Sequence, residues 1–217
     1  RGLELNLGWN DQIKDFRYGV GINLAFNKNR VTDFKGELWY ELDEDVKDIW
    51  GNPTMRYTNL ADVSTGGDTR RVEGHMIDEF FLRRPYSGDG SYKLADGSVN
   101  PNGGPRDGMI RTKADLDWVA AMLAAGYTFN NNLKQINSNG SNLWYGDLIM
   151  ADLNGDGKYG NDDDREFTGK SSTPKVTLGF NINASWRGFD LNMMWSGRFG
   201  GYHYINSKGA NGSMITN

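Results

Sequence analysis

Residues 16–26 read FRYGVGINLAF, and every second side chain in this stretch is large and apolar. The apolar positions are Phe16, Tyr18, Val20, Ile22, Leu24 and Phe26. Because successive side chains of a β-strand point to opposite sides, this alternation predicts a strand with one apolar face. At about 3.3 Å per residue and a tilt near 45°, such a strand would climb roughly 25 Å, which is the height of the apolar band of a membrane β-barrel.

The same alternation occurs in three further stretches, at 3–9, 176–186 and 189–195. Short polar turns join the members of each pair, so we expect one antiparallel hairpin within residues 1–29 and a second within residues 175–199. The other face of these strands carries mainly Asn, Gly, Ser and Thr, rather than the Lys and Glu typical of a water-facing sheet. Aromatic residues flank both turns, as in the interfacial girdles of membrane barrels: Trp9 and Phe16, and Trp186 and Phe189.

These patterns predict an all-β fold made of antiparallel strands of a transmembrane β-barrel. They are equally typical of a β-sandwich in water, because alternation does not distinguish a lipid-facing side from one that packs on a second sheet. In a barrel with both short turns on the periplasmic side, residues 30–174 would form a long extracellular insertion. Residues 200–217 would then begin the next extracellular loop.

The insertion is predicted to contain one short helix and one hairpin. Thr112 is a candidate helix N-cap with Asp115 three residues on, and Gly126 ends the helical pattern. The face expected to be buried comprises Leu116, Val119, Ala120 and Leu123. Apolar runs at 76–84 and 142–152 are expected to pair as an antiparallel hairpin. The acidic stretch 40–50 is consistent with a short helix or a solvated rim, and the Gly-, Asp- and Pro-rich stretch 87–108 predicts a loop.

Residues 152–164 read DLNGDGKYGNDDD, which has the spacing of a calcium-binding loop. Oxygen side chains at alternate positions can converge on one cation, and a glycine at the sixth position allows the sharp turn between them. The candidate ligands are Asp152, Asn154, Asp156, the backbone carbonyl of Lys158, and either Asp163 or Asp164. The other interpretation is a solvated acidic turn without a metal ion.

Composition narrows the classes of function. The net charge of −4 gives no electrostatic footprint for nucleic acid. No stretch approaches the ~20 apolar residues that a membrane helix needs. Cysteine is absent and the two histidines are far apart, so the sequence contains no recognisable zinc site and no disulfide framework. No nucleophile motif or phosphate loop is present, and we expect no enzymatic activity.

Both ends of the chain and its acidic loop resemble SusC/RagA-type TonB-dependent outer-membrane transporters. The similar segments are residues 146–148 (GDL), 152–157 (DLNGDG), Asp164-Arg165 with Gly169, and 188–191 (GFDL), together with 1–5 (RGLEL) and 27–29 (NKN). The family places its Asp-Arg pair one position earlier in the loop, which leaves the choice between Asp163 and Asp164 open. Residues 37–142 show no clear similarity to the family apart from residues 73–77 (EGHMI).

The resemblance implies an importer of nutrient oligomers, either glycans or peptides, in the outer membrane. It also implies an internal plug, contact with TonB through a segment outside this chain, and a SusD-like surface lipoprotein over the barrel mouth. We therefore expect this chain to be part of a longer protein.

Two other functions are compatible with the residues. One is a soluble extracellular β-sandwich that binds carbohydrate and is stabilised by calcium. The other is a glycosidase, which would need two carboxylates facing each other across a cleft.

Overall fold

The computed structural model describes residues 1–34, 37–60, 69–130, 136 and 143–203. It is mostly antiparallel β-structure with one short helix, as the sequence predicts. The strands are β1 (Gly2–Ile13), β2 (Phe16–Asn27), β3 (Tyr40–Lys47), β4 (Pro53–Tyr57), β5 (Thr69–Arg70), β6 (Glu79–Arg83), β7 (Thr128–Phe129), β8 (Lys158–Tyr159), β9 (Arg165–Ser171), β10 (Val176–Trp186) and β11 (Phe189–Phe199). The helix α1 spans Lys113–Ala124. Of the helical residues described, no run is both long and apolar enough to cross a membrane.

The chain divides into two compact units. The first comprises residues 1–34, 70–80 and 169–217, and the second comprises 35–69 and 81–168. The central insertion predicted from the sequence therefore contributes to both units.

The first unit is built on a sheet of four long strands in the order β1-β2-β10-β11. Every neighbouring pair is antiparallel and in continuous register. Both predicted hairpins are present, with tight turns in which Lys14 and Arg187 adopt positive φ angles. In the part of the chain that the structure describes, this sheet is open, with β1 and β11 at its edges.

The register places nearly all of the large apolar side chains of the sheet on one face, with Met194, opposite Asn181, as an exception. One row across the strands runs Leu7, Ile22, Phe180 and Trp195, and directly opposite residues in an antiparallel sheet share a face. On the other face Asn side chains lie over glycines. A Cβ on Gly21, for example, would lie 2.0 Å from Oδ1 of Asn181. The alternation of Asn and Gly therefore has a packing reason, because each Asn occupies space that a side chain would fill.

The second unit has its own hydrophobic core around α1. Its fully buried side chains include Ile110, Trp118, Val119, Met122, Phe129, Leu143 and Ile149. The predicted capping box is present: Thr112 Oγ1 accepts from Asp115 N, and the Asp115 carboxylate accepts from Thr112 N.

The buried face of α1 differs from the predicted one. Trp118 and Met122 are buried with Val119, whereas Leu116 and Leu123 are partly exposed and Ala120 is exposed. The indole Nε1 of Trp118 donates to the Asn100 carbonyl at 2.8 Å. This large ring and its buried hydrogen bond set the rotation of the helix, which the aliphatic spacing alone did not reveal.

Two further predictions are corrected. The acidic stretch 40–50 is not a helix, because residues 40–47 form β3 and pair with β4. The solvated face expected for this stretch is present, since most residues of β3 are exposed. The predicted hairpin of 76–84 with 142–152 is reduced to a short contact, in which Ala151 N donates to Arg84 O and Pro85 bridges Met150. β6 instead lies in a sheet of order β5-β6-β9. Position 142 and residues 204–217 lie outside the described part of the chain.

Candidate functional site

The acidic loop is anchored in the second unit through residues 158–159 near its centre. β8, inside the loop, pairs in parallel with β7 directly after α1. The Tyr159 hydroxyl donates to the Pro101 carbonyl at 2.8 Å, and the Tyr159 ring packs on Phe129 in the core. Because β8 and Tyr159 attach the loop to the core, the backbone that bears the acidic residues has a defined conformation.

Asp152 organises the first half of the loop. One carboxylate oxygen accepts from Gly155 N at 2.7 Å and from Asp156 N at 3.2 Å, and the other accepts from Gly157 N at 2.8 Å. Gly155 and Gly157 have φ angles of +75° and +79°. The glycines therefore allow the backbone to fold around a single carboxylate, which is the turn that their spacing predicts.

Asp156 lies at the buried centre of the loop, with 0% of its surface exposed. It accepts from Lys158 N at 2.8 Å and from Asn161 Nδ2 at 3.1 Å. The Lys158 ammonium lies 3.4 Å from the second oxygen of Asp156. The spacing of the loop predicts only the backbone carbonyl of Lys158 as a ligand, whereas the structure also places the positive charge of this residue beside the central carboxylate.

Asp164 and Asp163 differ sharply in environment. Asp164 is fully buried and accepts from Leu153 N at 2.7 Å and Asn161 N at 3.0 Å. Asp163 is partly exposed, and its carboxylate lies 3.8 Å from the Arg56 guanidinium. Asn161, which is not among the predicted ligands, donates hydrogen bonds to both Asp156 and Asp164. The sequence signal that could have identified Asn161 is its position between Asp156 and the acidic run 162–164.

Burial and mutual repulsion alter the acidity of these groups. Burial raises the pKa of the Asp164 carboxyl to about 7, and the charges of Asp152 and Asp156 act in the same direction against the hydrogen bonds from backbone amides. Burial also raises the pKa of Asp152, and the charge of Asp156 adds to this effect. The interpretation as a solvated acidic turn is therefore wrong for Asp156 and Asp164, which are buried.

The donor chemistry of the loop suits calcium, since carboxylate, amide and carbonyl oxygens are the ligands this cation prefers. Within the described residues, however, no three acidic or histidine side chains converge closely enough to hold a metal ion by themselves. Asp152, Asp156 and Asp164 bond to the backbone of one compact turn, Asn154 accepts from Asp156 N, and Asp163 lies near Arg56. Calcium binding by this loop thus stays a prediction.

A second candidate site is the apolar face of the four-stranded sheet. Its bulky side chains are extensively exposed in the chain as described, for example Leu3 at 66%, Trp9 at 64% and Phe189 at 77%. A contiguous apolar surface of this extent is rare on a soluble monomer and indicates a surface that another apolar phase or partner covers.

Two carboxylates in the described part of the second unit lie around one cavity, but each already has a partner within the protein. Asp107 and Asp115 line one cavity, but Asp107 is paired with Arg111, and Asp115 holds the capping box of α1. Both therefore have structural partners.

In comparisons with known proteins, no family model matches this chain and no curated protein matches it.

Proposed function

We propose that this chain is part of a SusC/RagA-type TonB-dependent importer, with β1, β2, β10 and β11 crossing the outer membrane. The observation that carries this proposal is the continuous apolar face of the sheet, whose four strands have 11 or 12 residues. This face is exposed on β1 and β11 and partly exposed on β2 and β10. Strands of this length match the 9 to 11 residues that a tilted membrane strand needs. The face accordingly contacts outer-membrane lipid.

The opposite face supports the same assignment. It carries Asn, Gly, Ser and Thr along most of its length, and Asn side chains cover the glycines of β2. A small, polar and largely uncharged surface of this kind suits the lumen of a barrel, through which a hydrated solute passes. The exposed face of a sheet in water would more often carry Lys and Glu.

With these four strands in the membrane, the positions of the insertion and of the partner proteins follow. In such a barrel residues 30–174, which include the second unit, lie on the extracellular side. There a SusD-like lipoprotein would close over the imported oligosaccharide or peptide, while TonB acts through a segment outside this chain. Calcium bound by Asp152, Asn154, Asp156, the Lys158 carbonyl and Asp164 would hold the acidic loop against the conformational entropy of a long insertion.

A soluble carbohydrate-binding β-sandwich is the second candidate, because a second sheet packed on the apolar face would also remove it from water. The two proposals differ in what covers that face. In the importer it is lipid, and in the sandwich it is protein.

The test is the fractionation of the full-length protein that contains this chain. We expect it in the outer-membrane fraction after a carbonate wash, with β-structure that persists in detergent. This chain expressed alone should aggregate in buffer and recover β-structure only in detergent. A monodisperse, cooperatively folding chain in plain buffer would contradict the importer and favour the sandwich.

A further inference from the structure

A cavity of about 410 Å³ lies within the first unit. The cavity is lined by three segments of this unit, residues 27–30, 74–79 and 169–175. Glu79, which is only 4% exposed, lies among them and accepts from Gly169 N at 2.7 Å and from Met76 N at 3.1 Å. Because this buried carboxylate ties two of the three segments together, the cavity has a defined shape.

Three cationic residues, Lys28, Arg30 and Lys175, line this cavity and are exposed. Over the described ranges of the chain, none of the three has an ion pair with a carboxylate, whereas Arg83 and Lys158 in the second unit each do. Positive charges gathered around one concave opening raise the local concentration of anions. The exposed cations therefore favour a ligand that carries negative charge.

Part of the remaining lining is suited to hydroxyl groups, while Met76 and Pro174 add apolar surface. Asn27, Ser171 and Thr173 provide uncharged polar groups in the same cavity. A neutral sugar would satisfy these groups but leave the cations uncompensated. A free inorganic anion would satisfy the cations alone. A sugar that bears a carboxylate matches both parts of the lining.

We propose that this cavity binds a uronate unit of the transported oligomer, with its carboxylate held by Arg30, Lys28 and Lys175. Arg30 can bind a carboxylate through two parallel N–H···O bonds, and the lysines add point charges. The inference rests on the proposed importer, and it narrows the substrate class from nutrient oligomers in general to acidic glycans.

The experiment is calorimetric titration of the full-length protein in detergent with trigalacturonate and with galactotriose, which lacks the carboxylates. We expect trigalacturonate to bind at least tenfold more tightly, and to weaken as salt is raised. Arg30→Gln and Lys175→Gln should each weaken trigalacturonate binding by about tenfold, the effect of losing one charge-assisted hydrogen bond. The matched control is Lys14→Gln, an exposed cation in the β1–β2 turn, which should leave binding unchanged.

Equal affinity for the two trisaccharides would overturn the inference. So would competition by inorganic phosphate at the same concentration as trigalacturonate, since that would reveal a nonspecific anion site. These outcomes are separable from failure of the proposed function. A membrane-embedded protein without acidic preference disproves only the uronate site, and a water-soluble protein that prefers trigalacturonate disproves only the importer.

Discussion

Gly157 is the residue on which the turn of the acidic loop depends. Its φ angle is +79°, and a Cβ at this position would lie 2.7 Å from Cδ1 of Ile49. Gly155 has a similar φ angle of +75° but no atom within 4 Å of its Cβ position. A side chain at Gly155 would therefore meet only the strain of a positive φ angle, whereas a side chain at Gly157 would also clash with Ile49.

We expect Gly155→Ala to lower the free energy of unfolding by about 1 kcal/mol, because alanine disfavours positive φ. Gly157→Ala should cost about 1 kcal/mol more, since Ile49 must also move. Thermal unfolding followed by circular dichroism measures both variants. Equal losses of unfolding free energy in the two variants would show that the Ile49 side chain moves aside without destabilising the protein.

Asp163 and Asp164 provide a paired test of calcium binding. If the loop binds calcium, saturation at 100 times the Kd stabilises the folded protein by about 2.7 kcal/mol. Asp164→Asn should abolish this gain, because its carboxylate is the buried one beside Asp152 and Asp156. Asp163→Asn should retain most of it, because that carboxylate lies near Arg56.

The measurement is the melting temperature of each variant in excess calcium and in chelator. Loss of the calcium effect in Asp163→Asn alone would reverse the assignment of the ligand. Identical melting of the unmodified protein in both conditions would remove calcium from the proposal altogether.

At the scale of elements, α1 depends on Asp115 for its start. Burial opposes the charge on Asp115, but hydrogen bonds from Thr112, Tyr92 and Arg111 outweigh this effect and lower its pKa. Since the folded-state pKa lies below the unfolded value near 3.9, the ionised carboxylate stabilises the protein at neutral pH. That contribution is lost as the pH falls through the folded-state pKa.

Asp115→Ala should therefore lower the free energy of unfolding at pH 7 by about 2 kcal/mol, through loss of the cap and its buried hydrogen bonds. The difference from the unmodified protein should shrink as the pH falls below about 4. Asp117→Ala is the control, since this residue of the same helix is exposed and paired with Lys113 at the surface. Denaturant titrations at neutral and acidic pH make the comparison, and a pH-independent difference would show that the charge of Asp115 is not involved.

The start of α1 could be predicted from the sequence, but its rotation could not. A capping box is a local pattern of four residues, so Thr112 and Asp115 identify it directly. The burial of Trp118 depends on Asn100, which is distant along the chain. The predicted partner of β6, residues 142–152, was wrong for the same reason. An apolar strand can pair with several other strands, and long-range packing selects among them.

At the scale of the whole molecule, we expect an added charge to destabilise the protein on the apolar face of the sheet but not on its polar face. Leu7 lies on the apolar face near the middle of β1, and Asn6 lies beside it on the polar face. In the importer, Leu7→Arg places a charge in lipid and should destabilise the folded protein by about 2 to 4 kcal/mol. Asn6→Arg should have little effect, because its side chain faces the lumen.

Refolding yield into lipid vesicles, measured by the shift in gel mobility between folded and unfolded protein, compares the two variants. Equal yields would contradict a lipid-facing side for β1. A greater loss for Asn6→Arg would place the lipid on the other face.

The sequence by itself determined the four long strands, their two tight turns, and the division of each strand into an apolar and a polar side. It also determined the glycine-dependent turn of the acidic loop and the start of α1. These features are local, since each depends on residues within a few positions of one another. Only the tertiary structure decided that β2 pairs with β10, that Asp164 rather than Asp163 is buried, and that Lys28, Arg30 and Lys175 surround one cavity. These features join residues that are far apart in the chain, and such pairings are selected by packing and burial rather than by local pattern.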